Sequence, residues 1–183
     1  DQVVQDPATG ARYRRPGLQP TPISVYITLL TSMFMHGGFA HILGNMLFLL
    51  IFGDNIEDRL GHGRYVLFYL LLGILASLAH VFTTAAMGGN MQVPSLGASG
   101  AISGVLGSYL LLYPRKRVTV LLLRIIMPVP AIVAIGIWFL FQLLNGMGAL
   151  GSQTGGVAYA AHIGGFIAGV QLVKMFDPGP RGR

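Results

Sequence analysis

Apolar residues run along this chain in long blocks, not in the alternating or one-sided patterns of water-exposed strands and helices. The blocks cover about 23–35, 39–53, 65–87, 98–113, 118–147 and 157–175, with short polar or glycine-rich connections between them. A helix that crosses a bilayer needs about 20 apolar residues, within a range of roughly 17–25. The 39–53 and 98–113 blocks are short for that, which predicts helices beginning below the membrane surface. The 118–147 block is too long for one span. Pro128 and Pro130 divide it into an interfacial lead-in and a helix over 129–147, because proline interrupts a helix interior. Gly37 and Gly38 stop the 23–35 block, which reads as an interfacial segment. The pattern predicts an all-α polytopic membrane protein with five spanning helices. Residues 1–22, punctuated by Pro7, Pro16, Pro20 and Pro22, read as an outer tail or loop. Residues 23–176 form the membrane domain and 177–183 a cytoplasmic tail.

Composition sharpens this picture. The 183 residues are 53% hydrophobic and only 10% charged, whereas a soluble domain carries about 25% charged residues. An ordinary water-exposed surface over most of the chain is excluded. With no cysteine there is no disulfide, thiolate metal site or cysteine nucleophile. The formal net charge of +6 comes from basic residues that gather on one side. Connections 54–64 and 114–117 and the tail after 173 hold Arg59, Arg64, Arg115, Lys116, Arg117, Lys174, Arg181 and Arg183. The opposite connections, 88–97 and 148–156, hold no Lys or Arg. The positive-inside rule makes the first side cytoplasmic. The N-terminal segment then lies outside despite Arg12, Arg14 and Arg15, which points to a further helix upstream. No basic stripe interleaves with aromatics, so no nucleic-acid partner is expected. No cleavable signal peptide is visible in the first 22 residues.

Polar residues inside apolar blocks are costly and mark function by default. His36 and His41 sit in MHGGFAHILGN, with Asn45 four residues after His41 and so on the same helical face. Ser99 sits in LGASGAISG at the outer start of a helix, and His162 a few residues into the last helix. With alternate helices running inward, Ser99, His162, His41 and Asn45 all fall in the outer half of the membrane. A hydroxyl, a neutral imidazole and hydrogen-bond donors at one depth are the parts of nucleophilic acyl transfer. His162 takes the proton of Ser99 in this reading, and Asn45 and His41 donate to the developing oxyanion. Gly97, Gly100, Gly104 and Gly107 bracket Ser99, while Gly164, Gly165 and Gly169 follow His162. Small residues at such spacing let helix backbones approach closely, which the serine and histidine require.

The motifs HGGFAHILGN, GASG and AHIGG, in that order, resemble the signatures of rhomboid intramembrane serine proteases, and EDRLGHGR resembles a loop of the same family. The match covers roughly residues 30–175. It implies a rhomboid-like helical bundle with a family core of six helices, the first missing from this chain. It further implies Ser99 as nucleophile and His162 as general base, a dyad without a carboxylate. Asn45 and His41, with the Ser99 backbone N–H, match the oxyanion site, His36 matches a supporting loop histidine, and Gly97 and Gly100 flank the nucleophile. No cofactor and no metal is implied. The implied substrate is a single-span membrane protein, cleaved at or near the outer end of its span. The implied location is the cell (plasma) membrane, with the site opening outward, the 148–156 loop capping it and the 129–147 helix on the substrate entry side. Some members place a tyrosine one turn after the serine, where this chain has Ser103.

Other mechanisms lack their residues. A zinc protease needs HExxH, which is absent, and an aspartyl intramembrane protease needs two buried aspartates, whereas Asp54 stands alone at a cytoplasmic boundary. A transporter would show a charged midplane residue or an inverted repeat. The remaining alternative is a catalytically inactive rhomboid-like adaptor that binds transmembrane helices. His80 reads as structural, His62 as a loop residue, and the Leu/Phe run at 139–144 as lipid-facing or packing surface.

Overall fold

The computed structural model describes residues 2–5, 10–15, 23–88, 95–122, 125–149 and 159–179. Helices α1 (Val25–Thr31), α2 (Phe39–Phe48), α3 (Asp54–Leu60), α4 (His62–Ala86), α5 (Ser99–Leu112), α6 (Ala131–Ala149) and α7 (Tyr159–Phe176) make up most of them. A 3-10 turn over Ser32–Phe34 follows α1. A wide π-helical turn over Leu49–Gly53 joins α2 to α3, so the apolar block expected over 39–53 continues as one rod to Leu60. Phe39–Leu60 and His62–Ala86 are long and apolar enough to cross a membrane.

Three local expectations are corrected. The 54–64 connection, with His62 expected as a loop residue, is helical on both sides of Gly61, whose φ of 82° makes the break. His62 opens α4, and its Nδ1 lies 2.6 Å from Glu57 Oε1. The lead-in before α6 is an antiparallel hairpin, β3 (Arg117–Leu122) with β4 (Ile125–Pro130), so the helix starts at Ala131 instead of 129. Pro128 and Pro130 fit there because a two-stranded hairpin leaves each strand an outer edge where no N–H is needed. Within the N-terminal tail, β1 (Gln2–Gln5) pairs with β2 (Arg12–Arg15), Val3 facing Arg14.

The centre of the fold is α5, whose residues from Gly100 to Tyr109 are all buried. It is sandwiched between α4 and α7 and reads Gly-Ala-Ile-Ser-Gly-Val-Leu-Gly-Ser because its neighbours leave no room for more. Around it pack Phe68 and Leu72 of α4, Phe52 and Ile56, and Phe166 and Val173 of α7. The outside is apolar instead of charged: Leu50 (72% exposed), Leu67 (64%), Phe82 (68%) and Ile137 (65%) all point away from the bundle. Apolar surface of that extent is stable against lipid and not against water. The chain is a helical membrane protein.

One end of the bundle collects the basic residues and their partners. Arg59 makes a two-point ion pair with Asp177, at 2.8 and 2.9 Å, tying α3 to the segment after α7. Lys116 donates to the Asn55 side chain and Tyr113 Oη to its carbonyl oxygen. Ser99 and His162 lie at the other ends of their helices. The tail cations Arg181 and Arg183 lie outside the described residues.

Candidate active site

Ser99 is the first residue of α5, where the leading amide N–H groups of a helix have no intrahelical acceptor and carry its positive end. His162 lies in the first turn of α7. Both therefore stand at helix beginnings on the same end of the bundle, and glycines let the two helices meet. A Cβ on Gly104 would come within 2.9 Å of the Gly165 carbonyl oxygen, and one on Gly100 within 2.7 Å of the Ala76 Cβ. Ser108 Oγ lies 2.8 Å from the Gly104 carbonyl and 3.2 Å from that of Gly169, joining the helices further along. The result at the top of the seam is a distance of 2.8 Å between His162 Nε2 and Ser99 Oγ.

A cavity of about 290 Å³ opens beside this pair, lined by Ser99, Gly100, His162, His41, Gly97 and small residues of α4 such as Ala76. Gly97 has φ of 109°, a conformation that suits glycine. A Cβ there would sit 2.7 Å from His41 Cε1 and 2.8 Å from its Nε2, so the absence of a side chain is what admits the ring. The Gly97 N–H donates to the Ser32 carbonyl at 2.9 Å, anchoring the segment that leads into Ser99.

His41 has a defined tautomer. The Gly37 N–H donates to its Nδ1 at 3.2 Å, so the ring proton resides on Nε2, the atom beside Gly97 and the cavity. Asn45 is 7% exposed, and its Nδ2 has no hydrogen-bond partner among the described residues. It lies 3.7 Å from the Gly97 Cβ position, next to the cavity without lining it. A buried amide N–H without an acceptor costs about 1–3 kcal/mol, and an oxygen brought to this point would relieve that cost. His36 also stays out of the cavity. Its ring packs edge-on against His41 at 5.2 Å between centroids, and its buried Nε2 has no partner among the described residues.

Two site residues escaped the sequence reading, both on α6. Gln142 Oε1 lies 2.8 Å from His162 Nδ1, and Gln142 is 6% exposed. Trp138, one turn earlier, sets its ring 6.2 Å from that of His162, while Phe139 stacks on Phe166 at 4.1 Å. The run at 139–144 is thus divided: Leu140, Phe141 and Leu144 are exposed on the outer face, while Phe139 packs on α7 and Gln142 makes a polar contact to the histidine. A polar residue inside an apolar helix was the available signal. Ser103, one turn after the serine, is buried and donates to the Ser99 carbonyl at 2.7 Å. The expected cap over 148–156 falls, apart from its first residues, outside the described residues.

Comparison with known proteins places this arrangement. A family model described as the Rhomboid domain matches residues 24–177. Rhomboid protein 1, mitochondrial, of Saccharomyces cerevisiae is 34% identical over 155 residues, 84% of this chain and 42% of that protein. Rhomboid protease GluP of Bacillus subtilis is 37% identical over 140 residues, 74% of this chain and 26% of that protein. The mouse Presenilin-associated rhomboid-like protein, mitochondrial, is 28% identical over 179 residues, 88% of this chain and 44% of that protein. The chain spans less than half the length of these curated relatives. Two of the three carry mitochondrial names, so the expected plasma-membrane location gains no support from them. With most of its length matched by the family model and a serine–histidine contact at the seam of two glycine-lined helices, this chain belongs to the rhomboid family.

Proposed function

We propose that the protein is an intramembrane serine endopeptidase that hydrolyses a peptide bond in or near the transmembrane segment of a membrane-anchored protein. The observation that carries this reading is the 2.8 Å contact between His162 Nε2 and Ser99 Oγ beside a cavity. An adaptor that only held helices would have no use for a hydroxyl paired with an imidazole next to an amide donor that has no partner among the described residues.

In this reading Ser99 Oγ attacks the scissile carbonyl as its proton passes to His162 Nε2. The carbonyl oxygen becomes an oxyanion, held by the Ser99 backbone N–H and by donors from His41 Nε2 and Asn45 Nδ2. The imidazolium then gives its proton to the departing amine, leaving an acyl-enzyme on Ser99. Water, deprotonated by the same imidazole, attacks the ester and frees the carboxylic acid and the serine. The medium helps, because donors fixed in an apolar setting stabilise developing charge more than the same groups in water.

The length of α5 supports a site below the membrane surface. The 14 residues of α5 extend about 21 Å, less than the ~30 Å hydrocarbon thickness. In this reading there are five spans with the basic end inside, which would set Ser99 below the opposite surface, where a substrate span emerges. The glycine and alanine positions around Ser99 leave room for an extended backbone with a small side chain. Helix α6 stands on the side by which the substrate enters.

The direct test is labelling of detergent-solubilised protein with a fluorophosphonate. A stoichiometric adduct on Ser99 that disappears in His162→Ala is expected. A wild-type chain that never labels, though folded, would favour the helix-binding adaptor.

A further inference from the structure

Helix α6 turns two residues spaced by four, Trp138 and Gln142, toward the same ring on α7. Gln142 is the polar member of the run WFLFQLL. Burying a carboxamide in such a run is unfavourable unless it is hydrogen-bonded, and its Oε1 lies 2.8 Å from His162 Nδ1. We propose that Gln142 is a positioning residue for the general base: its amide oxygen accepts the Nδ1–H of neutral His162 and so keeps Nε2 unprotonated and aimed at Ser99. The inference rests on the reading of Ser99 and His162 as a catalytic pair.

The tautomer of His162 decides whether it can act as a base. A neutral imidazole carries a single N–H, on either nitrogen. A proton on Nε2 would leave the nitrogen facing Ser99 unable to accept the hydroxyl proton. The unconstrained side chain prefers that unproductive form, so something must hold the proton on Nδ1. In soluble serine hydrolases a carboxylate accepting from Nδ1–H does this. Here none of the six acidic residues lies on α5, α6 or α7. An ionised carboxylate at this depth would carry a large desolvation cost, and a glutamine oxygen supplies an acceptor without the charge. When His162 becomes an imidazolium, the Nδ1–H···Oε1 bond becomes charge-assisted and strengthens. Gln142 therefore acts both before proton transfer and during it, without touching substrate.

The stacked pair Phe139 and Phe166, with Trp138 beside His162, sets the spacing of α6 and α7 that this bond requires. A role in packing alone makes a different forecast: Gln142→Met, which keeps volume and apolar contact, would then be silent.

The experiment uses the full chain in detergent, uniformly labelled with [15N]histidine. The His162 resonances are identified by their loss in His162→Ala. Wild type is expected to show Nδ1 protonated and Nε2 bare, and Gln142→Met to move the proton toward Nε2. In cleavage of a model single-span substrate, Gln142→Met should lower kcat about tenfold or more with KM unchanged. Gln142→Glu, whose carbonyl oxygen can still accept when burial keeps the acid neutral, should recover part of that loss. An Nε2-protonated wild type, or a Gln142→Met variant with unchanged tautomer or unchanged kcat, overturns the proposal. A wild-type chain without peptidase activity refutes the catalytic reading instead, and the tautomer measurement still decides the role of Gln142.

Discussion

The carbonyl oxygen of Gly165 on α7 lies 2.9 Å from the point that a Cβ on Gly104 of α5 would occupy. Backbone meets backbone there, and the leverage is felt one turn away, where His162 and Ser99 approach to 2.8 Å. The same Cβ would lie 2.7 Å from Leu72 Cδ1 on α4; that methyl can turn aside, but the Gly165 carbonyl cannot give way without moving a helix. Gly104→Ala should therefore cost about 1–3 kcal/mol by overpacking and slow fluorophosphonate labelling of Ser99 as well. Thermal unfolding in detergent, run beside the labelling rate, checks both effects.

Gly97→Ala acts at the other wall. The new Cβ would meet His41 Nε2 at 2.8 Å, and φ of 109° is strained for any side chain. The strain is worth about 1–3 kcal/mol. Because Gly97 lies in a connection outside the helices, the bundle should survive while substrate turnover falls at least tenfold. Circular dichroism together with initial rates separates the two. Wild-type turnover would remove the His41–Gly97 contact from the mechanism.

Asn45→Ala should leave KM near its starting value and reduce kcat about 10²- to 10³-fold, the usual cost of losing one oxyanion donor. Stability should hold or rise slightly, since the substitution deletes a buried donor that lacks an acceptor among the described residues. If Asn45 were interhelical glue, the opposite pattern would appear: a lower unfolding temperature with kcat retained in the folded fraction.

Asp177→Asn tests the far end of the bundle. Its hydrogen bond from the Arg59 guanidinium holds the Asp177 carboxyl below the ordinary carboxylate range. A lowered value means the pair stabilises the fold above the unfolded-state pKa of about 3.9, and the benefit disappears as pH falls through the folded value. Wild type should therefore unfold at a higher temperature than Asp177→Asn at pH 7, by an amount corresponding to about 0.5–1 kcal/mol for a part-buried pair at the edge of the bundle. The two should converge in strong acid. A gap that persists there would point to lost packing instead of lost charge.

Much of this architecture is legible in the chain because long apolar blocks in lipid admit little besides helices. The same reasoning puts Ser99, His162, His41 and Asn45 at compatible depths, since each sits at a known offset from a block's end. What escaped depends on pairing between segments. The β3–β4 hairpin sets Thr119 opposite Pro128, a relationship with no periodic signature in so apolar a stretch. Its prolines signalled a break without revealing a sheet. Gln142 is separated from His162 by 20 positions and belongs to no motif. Its contact depends on the rotation of α6 against α7, which aromatic packing sets and local spacing does not. The π-helical turn at Leu49–Gly53 is equally silent, because a widened turn keeps the composition of the helix around it.

The central claim, that Ser99 and His162 form a working pair, is tested most directly by cleavage of a model single-span substrate in detergent. The parent chain is compared with its Ser99→Ala and His162→Ala variants, each shown to be folded. The account predicts cleavage by the parent and none by either variant, because no other hydroxyl among the described residues has an imidazole within hydrogen-bond reach. Cleavage that survives in Ser99→Ala would contradict it.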